Sequence, residues 1–429
     1  MSLRRRALEA LCQITEDGAY ANLTLKDAAA NLSAQDANWL LALVYETLDH
    51  LLWIDYVLAS FVSSRPKRMV RGILRLGVCQ LLLFSTPSHA AINESVKLAK
   101  EIGKSADCGF INAVLRRIDK CRDGGLPALP DDPMLALSIK YSYPKWLIQD
   151  WVCTYGAEFT EKLLSAPIGQ TEVRAQHPAT TQSLQQELHD LAVPTANGHL
   201  DENCICLLQG LDITKLAAFI SGRLAVQSQS AMLVCRALGD CCGMDVLDAC
   251  AAPGGKSAYI ASLAKNDLRL LCFEKHAHRV QLMEATFARL HVSAECRLCD
   301  AQVHDPALDN CFDRVLLDVP CSGLGLVHDK PDIRYRKSDE DIDALSIVQA
   351  QILAACAPYV KPNGILVYAT CTVSRRENED QIDRFLAQNP DFRLDSMPIP
   401  LHNDGTIQLF PHIHGTDGFF IARMRRCKI

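Results

Sequence analysis

The sequence has no long hydrophobic run without charge. No window of about 20 residues, the length that spans a membrane, is free of Asp, Glu, Lys and Arg, so we expect no transmembrane segment. The arginines Arg4, Arg5 and Arg6 are followed by a helical Ala/Leu pattern with acidic residues, not by the apolar core of a secretory signal. These features predict a cytoplasmic protein that has no contact with a membrane.

A complete metal-binding motif is also missing. The chain has 19 cysteines, an odd number, and most lie inside apolar runs, which is typical of free thiols in a reducing compartment. Cys296 and Cys299 have the spacing of half a zinc site, but the sequence offers no second half with matching spacing. We therefore predict that the protein holds no metal.

A large basic excess, which many nucleic-acid-binding proteins have, is missing as well. The net charge is −6, although residues 1–130 contain 16 Lys and Arg against 13 Asp and Glu. In that part Lys67, Arg68, Arg71 and Arg75 form one short stretch that would suit phosphate contacts. The alternative is an ordinary solvated helix face, and charge alone favours this alternative.

Breaker residues divide the chain into three predicted domains. A linker rich in Gly and Pro at 124–133 ends a first domain, 1–130, in which apolar residues recur at helical spacing. Residues 134–228 alternate strand-like and helix-like segments, which predicts a small α/β domain. Residues 229–429 alternate strands with helices, as in a doubly wound, mostly parallel sheet. The strands predicted there are 245–249, 268–274, 295–298, 314–319, 365–370 and 419–424.

The first of these strands runs into a glycine-rich turn, Asp-Ala-Cys-Ala-Ala-Pro-Gly-Gly-Lys-Ser at 248–257. Such a turn, between a strand and a helix, is where α/β folds bind nucleotide-like ligands. A phosphate-binding P-loop needs Gly where this chain has Cys250, which excludes a nucleotide hydrolase of that type. The dinucleotide fingerprint needs three spaced glycines, and only an adjacent pair is present. The turn therefore predicts a nucleoside cofactor with little negative charge.

Acidic and thiol side chains follow the other predicted strands, at the edge where ligands bind. Glu274 ends the second strand and suits ribose hydroxyls, whereas Asp300 follows the third and suits an adenine amino group. Cys321 follows the fourth strand and Cys371 the fifth. Each cysteine also has the alternative of being one more core thiol. The polar residues beside them favour a functional role.

The motifs of the last domain resemble those of a known family. Asp-Ala-Cys-Ala-Ala-Pro-Gly-Gly-Lys at 248–256, Asp-Val-Pro-Cys-Ser-Gly at 318–323 and Ala-Thr-Cys-Thr-Val at 369–373 resemble the signature motifs of RNA 5-methylcytosine methyltransferases. The segments 331–335 and 415–420 match as well. In the first domain, 88–94 and 110–116 resemble the NusB-type helical domain of the bacterial members that act on small-subunit ribosomal RNA. The resemblance covers nearly the whole chain and is thinnest between 171 and 224.

This resemblance implies a Rossmann-like, S-adenosylmethionine-dependent methyltransferase domain with a mostly parallel, seven-stranded sheet. It implies an all-α, NusB-like RNA-binding domain before it, and a small α/β domain between the two. The implied partner is a single-stranded or loop cytosine of small-subunit (16S) ribosomal RNA, and we expect a monomer.

The resemblance also assigns roles to matching residues. Cys371 would be the nucleophile and Cys321 the thiol that helps to release the product, with Asp318 and Lys256 as further catalytic residues. The implied cofactor-binding residues are Cys250, Ala251, Ala252, Pro253, Gly254, Gly255, Lys256, Glu274, Asp300 and Asp318.

Two positions depart from the family pattern. Glu274 stands where Asp is more common, which costs little because Glu also spans two hydroxyls. Ser228 stands where the family usually has an acidic residue, which puts that contact in question.

The chemistry of this methylation explains why a cysteine is useful as the nucleophile. Carbon 5 of cytosine is a poor nucleophile, and thiolate addition to carbon 6 turns it into an enamine-like centre that can take a methyl group. The base must be extruded to reach such a pocket, which favours unpaired RNA.

Three other functions stay open at this point. A DNA cytosine methyltransferase carries its nucleophile in a Pro-Cys motif after the fourth strand, but Cys371 and the NusB-like start argue against it. Another RNA, such as a transfer RNA, is an alternative substrate. A non-catalytic RNA-binding assembly factor is disfavoured because all the motifs are present.

Overall fold

The computed structural model describes residues 1–167 and 169–428, in two compact units. Unit 1 comprises Met1–Ser165 and Asp329–Lys337, and unit 2 comprises Ala166–His328 and the chain from Ser338 onward. The sequence grouped residues 134–165 with the middle domain, whereas in the structure they are helices of unit 1. The predicted boundaries at 130 and 228 do not separate these units, and the three-domain division stays a prediction.

The elements are labelled in chain order. The α-helices of the described chain are α1 (Leu3–Glu16), α2 (Ala21–Ala29), α3 (Ala34–Asp49), α4 (Leu51–Ala59), α5 (Arg68–Leu82), α6 (Ser88–Glu101), α7 (Cys108–Lys120), α8 (Pro133–Tyr141), α9 (Lys145–Tyr155), α10 (Ala157–Leu164), α11 (Thr181–Asp190), α12 (Ala217–Ile220), α13 (Gln229–Ala237), α14 (Gly255–Leu263), α15 (Ala277–Leu290), α16 (Ile333–Arg336), α17 (Asp339–Cys356), α18 (Glu379–Gln388) and α19 (Pro411–His414). The strands are β1 (Thr171–Ala175), β2 (Thr195–Asn197), β3 (Cys204–Leu207), β4 (Leu224–Val226), β5 (Met244–Asp248), β6 (Leu268–Glu274), β7 (Glu295–Leu298), β8 (Phe312–Asp318), β9 (Val360–Thr370), β10 (Phe392–Leu394), β11 (Thr406–Leu409) and β12 (Phe419–Arg426).

Unit 1 consists of helices packed around α5. Residues 72–81 of this helix are buried all round, because α1, α3, α4, α6 and α7 surround it. Helix ends carry the expected caps: Ser33 accepts a hydrogen bond from Asp36 N at the start of α3. Asp132 caps α8, where Pro133 occupies the first turn. The predicted all-helical character of this region is confirmed.

The basic stretch of α5 is not a free phosphate-binding surface. Arg68 pairs with Asp17 at 2.5 Å and Arg71 with Glu16 at 2.6 Å. Arg75 is 5% exposed and pairs with Asp55 at 2.6 Å. In the sequence this stretch suited phosphate contacts, because its acidic partners are far from it along the chain and the ion pairs are not apparent. Three of its four cations are neutralised inside unit 1.

Unit 1 also includes a segment that comes from the second half of the chain. Arg334 is buried, and its guanidinium donates to Asp49 at 2.7 Å and to the carbonyl of Tyr141 at 3.2 Å. The same group lies 4.3 Å from the ring centroid of Tyr143. Because a buried charge needs a paired and hydrogen-bonded partner, these contacts fix Asp329–Lys337 among the helices of unit 1.

Unit 2 begins with a small antiparallel sheet of four strands in the order β2-β3-β1-β4. The inward side chains of β1 and β3, such as Val173 and Ile205, are fully buried against α11. The predicted small α/β arrangement is therefore present.

The large sheet of unit 2 has the strand order β10-β12-β9-β8-β5-β6-β7, and β11 pairs with β12. It has eight strands, not the seven implied by the resemblance, because β10 and β11 both pair with β12. The five strands from β9 to β7 are parallel, whereas β12 runs antiparallel to β9. Parallel strands point their carboxyl ends to one edge, and four of them, β5, β6, β8 and β9, end directly at residues of the predicted site.

Helices on both faces bury this sheet, as its continuous apolar strands require. Val315, Leu316 and Leu317 of β8 are all fully buried. The span Asp339–Tyr359, which includes α17, is by length and composition the one described helix that could cross a membrane. In the structure α17 packs against β8 and α18 and buries Ile352 and Leu353 in the core of unit 2.

Candidate active site

The glycine-rich turn joins β5 to α14 at the carboxyl edge of the sheet. Gly254 has φ +97°, and a Cβ atom there would lie 2.8 Å from Cε1 of Phe287. Only glycine fits this position without strain. A Cβ at Gly255 would meet no atom within 4 Å. Gly254 therefore makes this turn possible, and the turn lets the backbone approach a ligand closely. Gly255 is the first residue of α14.

A buried carboxylate supports this turn from below. Asp248 is 1% exposed and accepts a hydrogen bond from Oγ of Ser257 at 2.6 Å. It also accepts from the backbone N–H of Cys250 at 3.4 Å. Burial raises the pKa of the Asp248 carboxyl to about 6. Asp248 belongs to the glycine-rich motif, but no role was predicted for it.

The acidic residues at the ends of β6 and β7 lie where the sequence predicted. Glu274 accepts from the backbone N–H of His276 at 2.9 Å and pairs with Arg279 at 3.1 Å. Asp300 pairs with Lys275 at 2.8 Å. Burial tends to raise the pKa of Asp300, but the interactions with Lys275 and the hydrogen bonds from Gln302 together outweigh it and lower the pKa. Both cations are on half-exposed, flexible side chains, so they neutralise these carboxylates without enclosing them.

A Lys–Asp pair joins the glycine-rich turn to the end of β8. Nζ of Lys256 donates to Oδ2 of Asp318 at 2.6 Å, and the ammonium lies 5.3 Å from the ring centroid of Phe419. Burial tends to lower the pKa of Lys256, but the Asp318 carboxylate outweighs it, and the pKa is raised. The ammonium also interacts electrostatically with Cys371. A permanent positive charge therefore lies beside the predicted nucleophile.

The two predicted catalytic thiols are in direct contact. Sγ of Cys321 and Sγ of Cys371 are 3.2 Å apart, and the backbone N–H of Cys371 donates to Sγ of Cys321 at 3.3 Å. They meet because β8 and β9 are paired neighbours whose ends lie at one edge. The contact with Cys371, together with burial, raises the pKa of the Cys321 thiol well above its ordinary value. These two causes favour the protonated form of Cys321.

This donor set fits S-adenosylmethionine. The cofactor carries ribose hydroxyls, an adenine amino group and positive charges, and the edge presents the carboxylates of Glu274, Asp300 and Asp318. A turn without a P-loop pattern suits a ligand that lacks phosphates. The binding of the cofactor by residues 250–256, Glu274, Asp300 and Asp318 stays a prediction.

The described residues include one group of three potential metal ligands, and it lies in the small sheet. Glu172, Cys204 and Cys206 place their ligand atoms within 4.8 Å of one another. Both oxygens of Glu172 already accept hydrogen bonds from Gln229, at 2.7 and 2.5 Å. Burial raises the pKa of both thiols, which disfavours the thiolate that a metal needs. We assign no ion to this group, and Cys296 and Cys299 take no part in it.

Comparison with known proteins gives the family. Residues 240–425 match the family described as 16S rRNA methyltransferase RsmB/F, and residues 1–120 match the NusB family. The chain is 38% identical to the "Probable ribosomal RNA small subunit methyltransferase B" of Bacillus subtilis (strain 168), with 99% of each chain covered. It is 30% identical to the "Ribosomal RNA small subunit methyltransferase B" of Shewanella oneidensis, again with 99% of each covered.

The chain belongs to the RsmB/F family. S-adenosylmethionine is the cofactor of these methyltransferases, and the donor set described above accommodates it. Family membership confirms the predicted NusB-like start and the methyltransferase domain.

Solved structures agree on the fold. The crystal structure of PH0851 has a TM-score of 0.85 and 23% identity, and the match covers 99% of this chain and 100% of that one. The crystal structure of NSun6 from Pyrococcus horikoshii with SFG, an S-adenosylmethionine analogue, has a TM-score of 0.60 and 20% identity over 67% of this chain and 99% of that one.

One departure from the family pattern has a visible replacement. Ser228 caps no backbone group of α13 with its side chain; its Oγ lies 3.0 Å from Oγ of Ser230. Instead, Glu172 of β1 accepts from the backbone N–H of Gln229 in the first turn of α13. An acidic group thus lies at this helix start, contributed by another element.

Sequence reasoning missed one buried acid behind the thiols. Glu377 is fully buried, although it lies in the charged run Arg-Arg-Glu-Asn-Glu-Asp at 375–380, which is typical of a solvated surface. The one available signal was its position, six residues after Cys371.

Proposed function

We propose that this chain methylates carbon 5 of a cytosine in 16S ribosomal RNA, with Cys371 as the nucleophile and Cys321 as the thiol that assists release. The observation that supports this most strongly is the 3.2 Å contact between the two thiols at the carboxyl edge of the sheet. A base bound there would reach both sulfur atoms. The names of the similar bacterial proteins support small-subunit ribosomal RNA as the substrate.

The proposed reaction begins with the Cys371 thiolate, which forms a bond to carbon 6 of the base. The electron pair of the carbon 5–carbon 6 double bond then becomes available at carbon 5, which takes a methyl group. S-adenosylmethionine would supply that methyl group as an electrophile, and the electron pair of the broken sulfur–methyl bond would stay on its sulfur, which gives S-adenosylhomocysteine. Loss of the carbon 5 proton to a base then restores the double bond, and the Cys371 sulfur leaves as thiolate. Cys321 lies 3.2 Å from Cys371 and would assist this release; to accept the carbon 5 proton it must first give up its own.

Lys256 and Asp318 have supporting roles in this proposal. The Lys256 ammonium interacts electrostatically with Cys371, so it can stabilise the negative charge that leaves with this sulfur at the end of the reaction. Asp318 can accept a hydrogen bond from the exocyclic amine of the cytosine and so orient the ring. Because the pair is joined at 2.6 Å, each residue also positions the other.

The same features of the site argue against two of the alternative functions. A DNA cytosine methyltransferase of the Pro-Cys type would use Cys321 as its nucleophile and would give no role to Cys371, which contacts Cys321 at 3.2 Å. A non-catalytic assembly factor has no need for two thiols in contact beside a Lys–Asp pair. A transfer RNA remains an alternative substrate within the same chemistry. We also propose that the protein acts as a monomer in the cytoplasm, without membrane contact.

An exposed face of α7 is the proposed RNA contact in unit 1. Arg116, Arg117 and Lys120 are exposed on this face, and Phe110 is 41% exposed at its start. Arg117 donates to the carbonyl of Phe61 at 3.3 Å, and Arg116 to the side chain of Asn112 at 3.1 Å. Within residues 1–167 and 169–428, none of the three cations forms an ion pair with a carboxylate. Unpaired cations beside an exposed aromatic ring suit RNA phosphates and unstacked bases.

Mapping 5-methylcytosine in ribosomal RNA tests the proposal. Ribosomal RNA from cells with the gene, without it, and without it but expressing Cys371→Ala would be compared position by position. We expect one 16S cytosine to lose the modification in the last two samples. Unchanged 16S RNA with a lost position in transfer RNA would move the proposal to the other substrate. No lost position in either RNA would favour the assembly factor.

A further inference from the structure

A buried carboxylate lies directly behind the two catalytic thiols. Glu377 ends the short turn Arg375–Glu377 between β9 and α18, and it is fully buried. Burial raises the pKa of the Glu377 carboxyl, and hydrogen bonds from the residues around it oppose the rise. A buried carboxylate destabilises the fold unless hydrogen-bond donors surround it, so the contacts of Glu377 indicate its role.

The first set of contacts is with the residue after Cys321. Oε1 of Glu377 accepts from the backbone N–H of Ser322 at 2.8 Å, and Oε2 accepts from Oγ of Ser322 at 2.5 Å. Nε2 of Gln349 donates to the same Oε1 at 3.0 Å and to the carbonyl of Pro320 at 3.0 Å. Glu377 therefore contacts the residue after Cys321 directly and the residue before it through Gln349.

The second set of contacts is with the residue after Cys371. Oγ1 of Thr372 lies 2.8 Å from Oγ of Ser322, and that hydroxyl also donates to Oε2 of Glu377 at 2.5 Å. The Glu377 carboxylate is thus connected to Thr372 through Ser322. Ser322 and Thr372 are each the immediate neighbour of a catalytic cysteine.

The turn that carries Glu377 is fixed to β9 by contacts of its backbone and of the next residue. The hydroxyl of Tyr368 donates to the carbonyl of Glu377 at 2.6 Å. The adjacent Asn378 accepts from Thr370 at 2.5 Å and donates to the carbonyl of Thr372 at 3.1 Å. All five residues are buried, so neither the turn nor the strand end has room to shift independently.

We infer that Glu377 is a positioning residue for catalysis, which sets the distance between the Cys321 and Cys371 thiols by binding Ser322 directly and Thr372 through Ser322. The consequence for methyl transfer rests on the proposed function, because only a reaction that uses both thiols on one base depends on their separation. The separation itself is a property of the folded protein. It can be measured without RNA or cofactor.

The test compares Glu377→Ala and Glu377→Gln with Glu379→Gln as the matched control. Glu379 is a partly buried acid two residues away that contacts neither thiol loop in the structure as described. Ser322→Ala serves as a second variant in case Glu377→Ala does not fold. It removes the hydroxyl link between the two loops and leaves the Glu377 carboxylate in place.

The first readout is disulfide formation between Cys321 and Cys371 in the full chain treated with diamide. Each thiol gives up one hydrogen to the nitrogen–nitrogen double bond of diamide, and one sulfur–sulfur bond forms. The product is quantified by mass spectrometry of the peptide pair. We expect Glu377→Ala and Ser322→Ala to slow this step at least about tenfold, because the thiols lose their fixed approach. Glu377→Gln, which can still bridge both loops, should recover most of the rate, and Glu379→Gln should match the wild type.

The second readout is methyl transfer to RNA. We expect Glu377→Ala to lower kcat by about 100-fold with little change in the KM of S-adenosylmethionine, because a misplaced thiol affects the reacting base and not cofactor binding. A folded Glu377→Ala or Ser322→Ala variant with the wild-type disulfide rate would overturn the inference. A wild type with normal disulfide formation but no methyl transfer would instead overturn the proposed function and leave the positioning role intact.

Discussion

At the scale of single residues, the account depends on two thiols with different tasks. Cys371 lies beside the Lys256 ammonium, whereas Cys321 has a raised pKa from its contact with Cys371 and from burial. The sequence assigned these roles through the family motifs. The structure adds the 3.2 Å contact between the two sulfur atoms, which would let both thiols act on one base.

Cys371→Ala should abolish methyl transfer and leave S-adenosylmethionine binding within about twofold of the wild type. The thiol acts on the base, and the turn that would bind the cofactor is built from other residues. Radiolabelled methyl transfer and calorimetry measure the two properties, with Cys311→Ala as a control thiol outside the site. Near-normal turnover by Cys371→Ala would make Cys321 the nucleophile.

Asp248 should make stability depend on pH. Its folded-state pKa of about 6 lies above the unfolded value near 3.9, so the folded protein binds its proton more tightly. The resulting stabilisation is complete below pH 3.9 and is lost as pH rises through about 6. Asp248→Asn should therefore be more stable than the wild type without cofactor at pH 7, by about 2 kcal/mol, and equal to it near pH 4. Urea unfolding at several pH values checks this; a difference that does not vary with pH would contradict the assigned shift.

At the scale of elements, periodicity predicted most of unit 2. β6 and β7 have the predicted bounds, and β5, β8, β9 and β12 differ from them by a few residues at their ends. The strands β10 and β11 were missed because they are short edge strands, whose stability comes from pairing with β12 and not from their own pattern.

The helices of unit 1 were predicted less completely. The apolar pattern at 39–61 continues through His50, where the structure ends α3 and begins α4. α8, α9 and α10 were not assigned, because their pattern follows a breaker-rich linker that suggested a domain boundary. Propensity locates such a linker but does not show which core the next helices join.

The glycine-rich turn gives a prediction at this scale. Gly254→Ala should weaken S-adenosylmethionine binding by at least about tenfold, because its positive φ and the nearby Phe287 ring both exclude a Cβ atom. Gly255→Ala should be tolerated much better, since its Cβ meets no neighbour within 4 Å. Calorimetry measures the S-adenosylmethionine affinity of both variants, and circular dichroism checks that each is folded. Equal affinities would remove Gly254 from the cofactor turn.

At the scale of the whole molecule, sequence alone does not show which cations are free to bind RNA. Lys67, Arg68, Arg71 and Arg75 are adjacent in the chain and would suit phosphate contacts, although charge favoured an ordinary helix face. In the structure three of them are paired with acids that only folding brings near. The sequence also had no means to place residues 329–337, which follow the Cys321 motif, in unit 1. Both outcomes depend on contacts between residues far apart in sequence.

The α7 face should carry salt-dependent RNA affinity. The double variant Arg116→Gln, Lys120→Gln should bind RNA about tenfold more weakly at low salt and have a shallower salt dependence, because fewer counterions are released. Arg68→Gln, Lys97→Gln is the matched control, since both cations are already paired with acids. Filter binding across a salt series measures both properties. Identical slopes for the two double variants would show that unit 1 contacts RNA elsewhere.

The central claim is that one cysteine attacks the base and the other assists its release. Cys321→Ala incubated with substrate RNA and S-adenosylmethionine tests it most directly on a denaturing gel. We predict a covalent protein–RNA adduct that contains the methylated base, because methyl transfer proceeds and release stalls. The double variant Cys321→Ala, Cys371→Ala should form none. Full turnover by Cys321→Ala without an adduct, or an adduct that persists in the double variant, would contradict the account.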